Sequence, residues 1–181
     1  MSTRTAHPAP AETGIIDDLS RPEPEAAVGS RWELIADTVM GGCSGGQVRR
    51  ETLQGRPAMR MTGRVRLENN GGFLQIALNL RPDGGTVDAR GWTGIALDVL
   101  GNGETYNLHL RTADMQRPWQ SYRHGFTAPP AWTTVACPFA AFSAHKIDAS
   151  LDLSRLRRIG LVAIGRAFDA DIAVGGVRFY A

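Results

Sequence analysis

The alternation of apolar and polar positions is the strongest signal in the chain. Met59, Met61, Val65 and Leu67 put apolar side chains at odd positions, and Leu74, Ile76, Leu78 and Leu80 put them at even positions. Successive residues of a strand point to opposite faces, so each run predicts a half-buried strand. The phase changes across Glu68-Asn69-Asn70-Gly71-Gly72, whose residue types accept positive φ cheaply. The pattern predicts two strands joined by a turn or bulge that resets the register, with the remaining strands packed around this pair.

Further strand-like runs recur between turn signals. Ile15 to Leu19 predicts a short first strand, before Pro22 and Pro24 break any regular element. A strand headed by Trp32 stops at Gly41-Gly42. Ile95, Leu97 and Val99 share one face and lead into a hairpin turn at Gly101-Asn102-Gly103. Tyr106, Leu108 and Leu110 return on one face, which sends Asn107, His109 and Arg111 to the other. In the run from Trp119 to Phe126, Tyr122, His124 and Phe126 share a face; Trp132 to Cys137 ends at Pro138. Ile159 to Ile164 and Ile172 to Tyr180 close the chain. The best helix candidate is a turn or two over Ser154–Arg158, capped by Ser154 and with arginines at its C-terminal end. About ten short strands with almost no helix predict an all-β sandwich or barrel. No fixed repeat period is present, which argues against a propeller.

A chain of 181 residues fits one domain with a sizeable core. Residues 1–12 carry Pro8 and Pro10 among small and polar residues and read as a flexible tail, leaving the domain to 13–181. The net charge of +2 gives no reason to expect nucleic acid. Lys146 is the only lysine, so the positive charge is almost all arginine. Cys43 and Cys137 are too few for a disulfide scaffold, and a reducing, cytoplasmic setting is expected. No apolar run approaches the ~20 residues of a membrane span, and residues 1–30 lack the apolar region of a signal peptide.

Most candidate chemistries fail on context. The Gly41–Gly46 loop has neither the Gly-Lys-Ser/Thr ending nor the following helix of a phosphate loop. Gly101-Asn102-Gly103 lacks the third glycine of a dinucleotide site. His7, His109, His124 and His145 have no metal-ligand spacing, so no zinc site is expected. Ser44 lies outside a G-x-S-x-G elbow and has no nominated base. Asp17, Asp18, Glu68, Asp169 and Asp171 offer oxygen ligands of the calcium type, but form no ordered acidic loop. No metal or cofactor is therefore expected. Trp32 and Trp132 read as packed, and Trp119, beside Arg117 and Pro118, is the exposed aromatic on which a sugar ring could stack.

Trp32, Asp37, Thr38, Val39, Met40, Gly41, Gly42 and Ser44, followed by Glu68-Asn69-Asn70-Gly71-Gly72-Phe73, resemble the complex I intermediate-associated protein family. That family is known for a DTVMGG-x-S segment and a later EN-x-GGF segment. Gly101 to Tyr106, Arg111-Thr112, Tyr122, Phe126, Trp132, Pro138-Phe139, Phe142 and the stretch from Asp171 to Tyr180 continue the likeness. It covers about residues 13–181. The resemblance implies a jelly-roll β-sandwich of the galactose-binding-domain-like kind. It further implies a non-catalytic binding module, similar to assembly or chaperone-like factors for respiratory complex I, with a protein partner.

The polar residues of these motifs form the expected ligand- or partner-binding set: Asp37, Met40, Gly41, Gly42, Ser44, Glu68, Asn69, Asn70, Gly72, Arg111 and Tyr122. The same residue types have a structural use. Asp37 can satisfy amides of the Gly41–Ser44 loop, and the asparagines can form Asx-turns. Both uses hold together if the two loops meet at one rim of the sandwich. The alternative function is a lectin-like carbohydrate binder, and a weaker one is an enzyme using a face that carries His109, Arg111 and His124.

Overall fold

The computed structural model describes residues 10–40 and 42–181. Its strands, in chain order, are β1 (Ile15–Asp17), β2 (Glu33–Ala36), β3 (Gly45–Leu53), β4 (Arg56–Val65), β5 (Phe73–Asn79), β6 (Gly94–Leu100), β7 (Thr105–Thr112), β8 (Ser121–Thr127), β9 (Thr133–Pro138), β10 (Ser143–His145), β11 (Leu156–Ile164) and β12 (Phe168–Tyr180). They form two six-stranded sheets with antiparallel pairing. The first runs β3-β4-β12-β6-β9, with β1 added against β12; the second runs β10-β8-β7-β11-β5-β2. The two sheets stack as a sandwich, the all-β architecture predicted by the short alternating runs.

The phase change between β4 and β5 has a different cause from the predicted register reset. These strands lie in opposite sheets. Met59, Met61 and Val65 point inward from one sheet, and Leu74, Ile76 and Leu78 point inward from the other, all with 0% exposure. The segment between them is a crossover, so each strand keeps its own phase. Leu67 lies beyond the end of β4 and is half exposed.

The true reset sits in β12, where the register against β6 shifts between Val174 and Gly176. Ile172 and Val174 face the core before the bulge, Val177 and Phe179 after it. A Cβ on Gly175 would lie 3.0 Å from the Trp132 ring and from Arg56 Nε, so a side chain there would crowd the bulge.

Two strands gave no alternating signal. β3 is the edge of the first sheet and is half-buried or exposed along its length. β10 is a three-residue edge of the second sheet. An edge strand lacks the full cover that imposes period-two hydrophobicity. The predicted helical turn shrinks to a 3-10 turn over Leu153–Arg155, capped by Asp152 rather than Ser154; Asp152 Oδ1 accepts the Ser154 N–H at 3.0 Å. Arg157 and Arg158 belong to β11. At the start, Pro10–Thr13 forms a helical turn with Pro10 buried, so the boundary drawn after residue 12 falls inside an ordered element. Trp92 Nε1 donates to the Ala11 carbonyl at 3.2 Å. The other tail residues, 1–9, lie outside the described residues.

The two outer faces differ in charge pairing. On the first sheet, Arg60 bridges Asp171 (2.7 Å) and Glu51 (3.0 Å), while Asp98 takes Arg56 and Arg178, each at 3.0 Å. On the second sheet the outer face is hollow and only partly paired.

Leu110 is fully buried on the inner face of β7. Leu110→Ala should cost about 2–5 kcal/mol through the cavity it leaves, read as a lower urea midpoint with an unchanged slope.

Candidate functional site

The two family-like motifs meet at one corner, around the Asp37 carboxylate. Asp37 follows β2 and is fully buried. Oδ1 accepts the Ser44 N–H at 2.9 Å, and Oδ2 accepts the Ser44 hydroxyl, the Gly72 N–H and the Phe73 N–H. Ser44 Oγ in turn accepts the Arg66 N–H at 2.8 Å. The approach requires glycine at several points. A Cβ on Gly42 would overlap Asp37, and one on Gly71 would sit 2.5 Å from its Oδ2. Gly72 has φ +135°, where a side chain is strained. Burial alone would raise the carboxyl's pKa. The hydrogen bonds from Ser44, Gly72 and Phe73 outweigh it and hold Asp37 below the ordinary 3.8.

Beside this corner the outer face of the second sheet forms a cleft of about 790 Å³. Strand pairing orders the residues of this outer face in rows. Gln75, Val162 and Asn107 stand side by side, then Ala77, Gly160, His109 and Arg123, then Asn79, Arg158 and Arg111. Gly160 deepens the middle row; a Cβ there would lie 2.7 Å from Gln75 Oε1. One wall is Leu67, Gly71 and Gly72, next to the Asp37 corner, and the other is the β7–β8 loop with Pro118, Trp119 and Gln120.

Arg111 builds the second wall. Its Nη1 lies 3.2, 3.0 and 2.8 Å from the carbonyls of Arg117, Pro118 and Gln120. It therefore staples the loop that presents Trp119, which is 48% exposed, with the Arg117 guanidinium 5.9 Å from its ring. Arg158 is held by Asn79 Oδ1 at 2.8 Å and Glu33 at 3.3 Å. His109 is 9% exposed, and its Nε2 has no hydrogen-bond partner. Burial first, then the nearby charges of Arg123 and His145, push its pKa down to about 3, so the ring is neutral at pH 7.

The expected residues separate into three groups. Asp37, Gly72 and Arg111 line the cleft. Gly42 and Ser44 serve the Asp37 corner, while Glu68 and Asn69 sit on the exposed turn behind it, Asn69 at φ 57°. Tyr122 does not reach the cleft: it faces the core beside Leu110, and its hydroxyl donates to the Ala149 carbonyl at 2.5 Å. Gly41 lies outside the described residues, and Met40 and Asn70 are described by their backbone only, each in a 3-10 turn.

The His109–Arg111–His124 constellation does not assemble. His124 pairs with Leu108 on the core side and packs against Phe142 (ring centroids 5.5 Å apart), whereas His109 pairs with Arg123 on the outer side. Asp17, one of the calcium-type oxygens, spends its carboxylate on Trp32 Nε1 (2.7 Å) and the amides of Leu19 and Ala27. Among the described residues no group of three or more His, Cys, Asp or Glu side chains could hold a metal ion. Gln75, Arg123, Arg158 and Gly160 escaped the sequence reading of the site. Their signal was weak: each alternates with core residues on its strand, which marks only the side opposite the core.

The family model described as Complex I intermediate-associated protein 30 matches residues 22–174. No curated protein sequence matches the chain. In fold, the chain is similar to the family 11 carbohydrate-binding module of a cellulosomal cellulase of Clostridium thermocellum. The TM-score is 0.72 at 14% identity, covering 92% of this chain and 93% of the module. The same module in complex with a β-1,3-1,4-mixed-linked tetrasaccharide gives 0.72 and 14%, with 93% and 95% covered. A family 30 carbohydrate-binding module of another Clostridium thermocellum cellulosomal cellulase gives 0.58 at 17% identity over 77% of this chain and 91% of that one. These likenesses show a shared two-sheet antiparallel sandwich.

Two measurements check the corner and the cleft floor. Asp37→Ala leaves buried donors of Ser44, Gly72 and Phe73 without an acceptor and should cost about 2–5 kcal/mol in urea unfolding. His109 has a folded pKa below its unfolded value, so the unfolded chain takes up the proton first. Its contribution to stability should be complete above the ordinary 6.5 and should fall as pH drops towards about 3. A His109→Gln variant should show a flatter decline over that window in thermal melts.

Proposed function

The chain belongs to the Complex I intermediate-associated protein 30 family, and from that premise we propose that it is a non-catalytic binding module that holds a subunit or assembly intermediate of respiratory complex I. The cleft on the outer face of the second sheet is the binding surface. The observation that carries this reading is the contrast between the two outer faces. The first sheet's charges are tied up in ion pairs, whereas the second sheet presents a deep, walled hollow with an exposed tryptophan on its rim.

The walls are fixed before any ligand arrives. The Asp37 corner sets one, and Arg111 staples the other. A preformed groove spends little of its binding free energy on ordering itself. Trp119 is suited to act as an aromatic anchor at the mouth, and the missing side chain of Gly160 leaves depth for a side chain of the bound segment.

A carbohydrate ligand is the second reading. It is favoured by Trp119 and by the likeness to a module described with a bound tetrasaccharide. Against it, neutral sugars stack on aromatic platforms, and this cleft has three arginines, Arg111, Arg123 and Arg158, beside its one exposed tryptophan.

Gly160→Leu fills the floor of the cleft, and the flexible end of Gln75 can move aside. In affinity capture from native extract, the wild-type chain should retain complex I subunits. Gly160→Leu should lose them with its melting temperature kept within about 3 °C, a shift that corresponds to about 1 kcal/mol for a domain of this size. Capture that ignores Gly160→Leu would place the binding surface elsewhere, and cleft-dependent binding of mixed-linked β-glucan would favour the carbohydrate reading.

A further inference from the structure

Arg123 is the cleft's unpaired cation. Its Nε donates to Ser121 Oγ at 2.8 Å, and among the described residues neither carboxylate nor carbonyl accepts from its terminal nitrogens. The other two cleft arginines are engaged, Arg111 by loop carbonyls and Arg158 by Asn79 and Glu33. Arg123 stands directly opposite His109 on the neighbouring strand, whose Nε2 is buried without a partner. His145 joins them from β10, paired with Ser121. A buried ring nitrogen without a partner is costly unless something completes it, and beside it the half-buried Arg123 guanidinium has terminal nitrogens that no carboxylate or carbonyl of the described residues occupies. Burial first, then repulsion from Arg123, lowers the pKa of His109 and of His145 alike, with His145 adding to it at His109 and Lys146 at His145.

We propose that Arg123, His109 and His145 form a carboxylate subsite, and that the occupant of the cleft is an extended acidic segment of a partner protein. An Asp or Glu side chain of that segment docks on Arg123. The inference rests on the cleft being the binding surface. The planar guanidinium matches the two oxygens of a carboxylate in a fork geometry. The neutral imidazole supplies one further donor when its Nε2 carries the proton. A neutral glucan offers no charge to complement this end of the cleft, whereas an acidic peptide offers it along with backbone groups for Gln75.

The test titrates fluorescein-labelled hexaglutamate into the intact protein at low ionic strength and follows anisotropy. Hexaglutamine is the uncharged counterpart, and polygalacturonate and mixed-linked β-glucan are the glycan arms. The wild-type chain should prefer hexaglutamate to hexaglutamine by about tenfold or more. Arg123→Gln should remove most of that preference at an unchanged melting temperature. Arg123→Lys should restore only part of it, because a point charge lacks the fork. Arg49→Gln, a charge removal on the first sheet, should leave it intact. Absence of a preference, or an equal loss in Arg49→Gln, overturns the subsite. So does Arg123-dependent binding of polygalacturonate without peptide binding. In the capture assay, Arg123→Gln behaving as wild type while Gly160→Leu fails would also sink the subsite, yet leave the cleft as the binding surface. Both variants capturing as wild type would remove the cleft reading itself.

Discussion

The buried carboxylate of Asp37 is the constraint on which the rest of the sandwich depends. The chain crosses between the sheets twice near it, from β2 to β3 and from β4 to β5. Its two oxygens collect donors from the start of β3, through Ser44, and from the start of β5, through Gly72 and Phe73. Ser44 extends the tie to the end of β4 through Arg66. One charged group thus joins both crossovers, and each charge-assisted hydrogen bond to a buried anion contributes about 1.5–3 kcal/mol. The glycines around it are there because backbone must come within contact of the carboxylate.

That corner also shapes the cleft. It fixes the turn of Leu67, Gly71 and Gly72 against the outer face of the second sheet and so raises one wall of the cleft. Arg111 raises the opposite wall by a similar device, a half-buried polar group aimed at backbone carbonyls. Between them the sheet supplies a mixed floor, with Gln75, His109, Arg123 and Arg158 beside Phe73, Val162 and Ile164. Asp37, Gly72 and Arg111 thus serve the fold and line the cleft at once.

Much of the fold was legible in the order of residues. Burial on one face of a strand leaves a period-two record, and β4 to β9, β11 and β12 carry it plainly. β3 and β10 do not, since an edge strand need not alternate. The inward or outward direction of Asn107, His109 and Arg111 followed from the same period. The likeness of the two glycine motifs to one family was likewise present in the sequence, and the match over residues 22–174 gives that membership.

The sequence by itself determined the sandwich, the family, and, for the strands that alternate, the side that meets the core. Only the tertiary structure decided which strands are neighbours. Alternation records whether a residue faces the core, but it carries no information about which strand lies alongside, because pairing runs through backbone groups common to every residue. Thus the phase change at residues 68–72 came from a crossover between sheets, while the bulge lay in β12. His109 met Arg123 instead of His124, and Tyr122 turned into the core. The cleft itself, assembled from six strands far apart in the chain, exists only once the register is set.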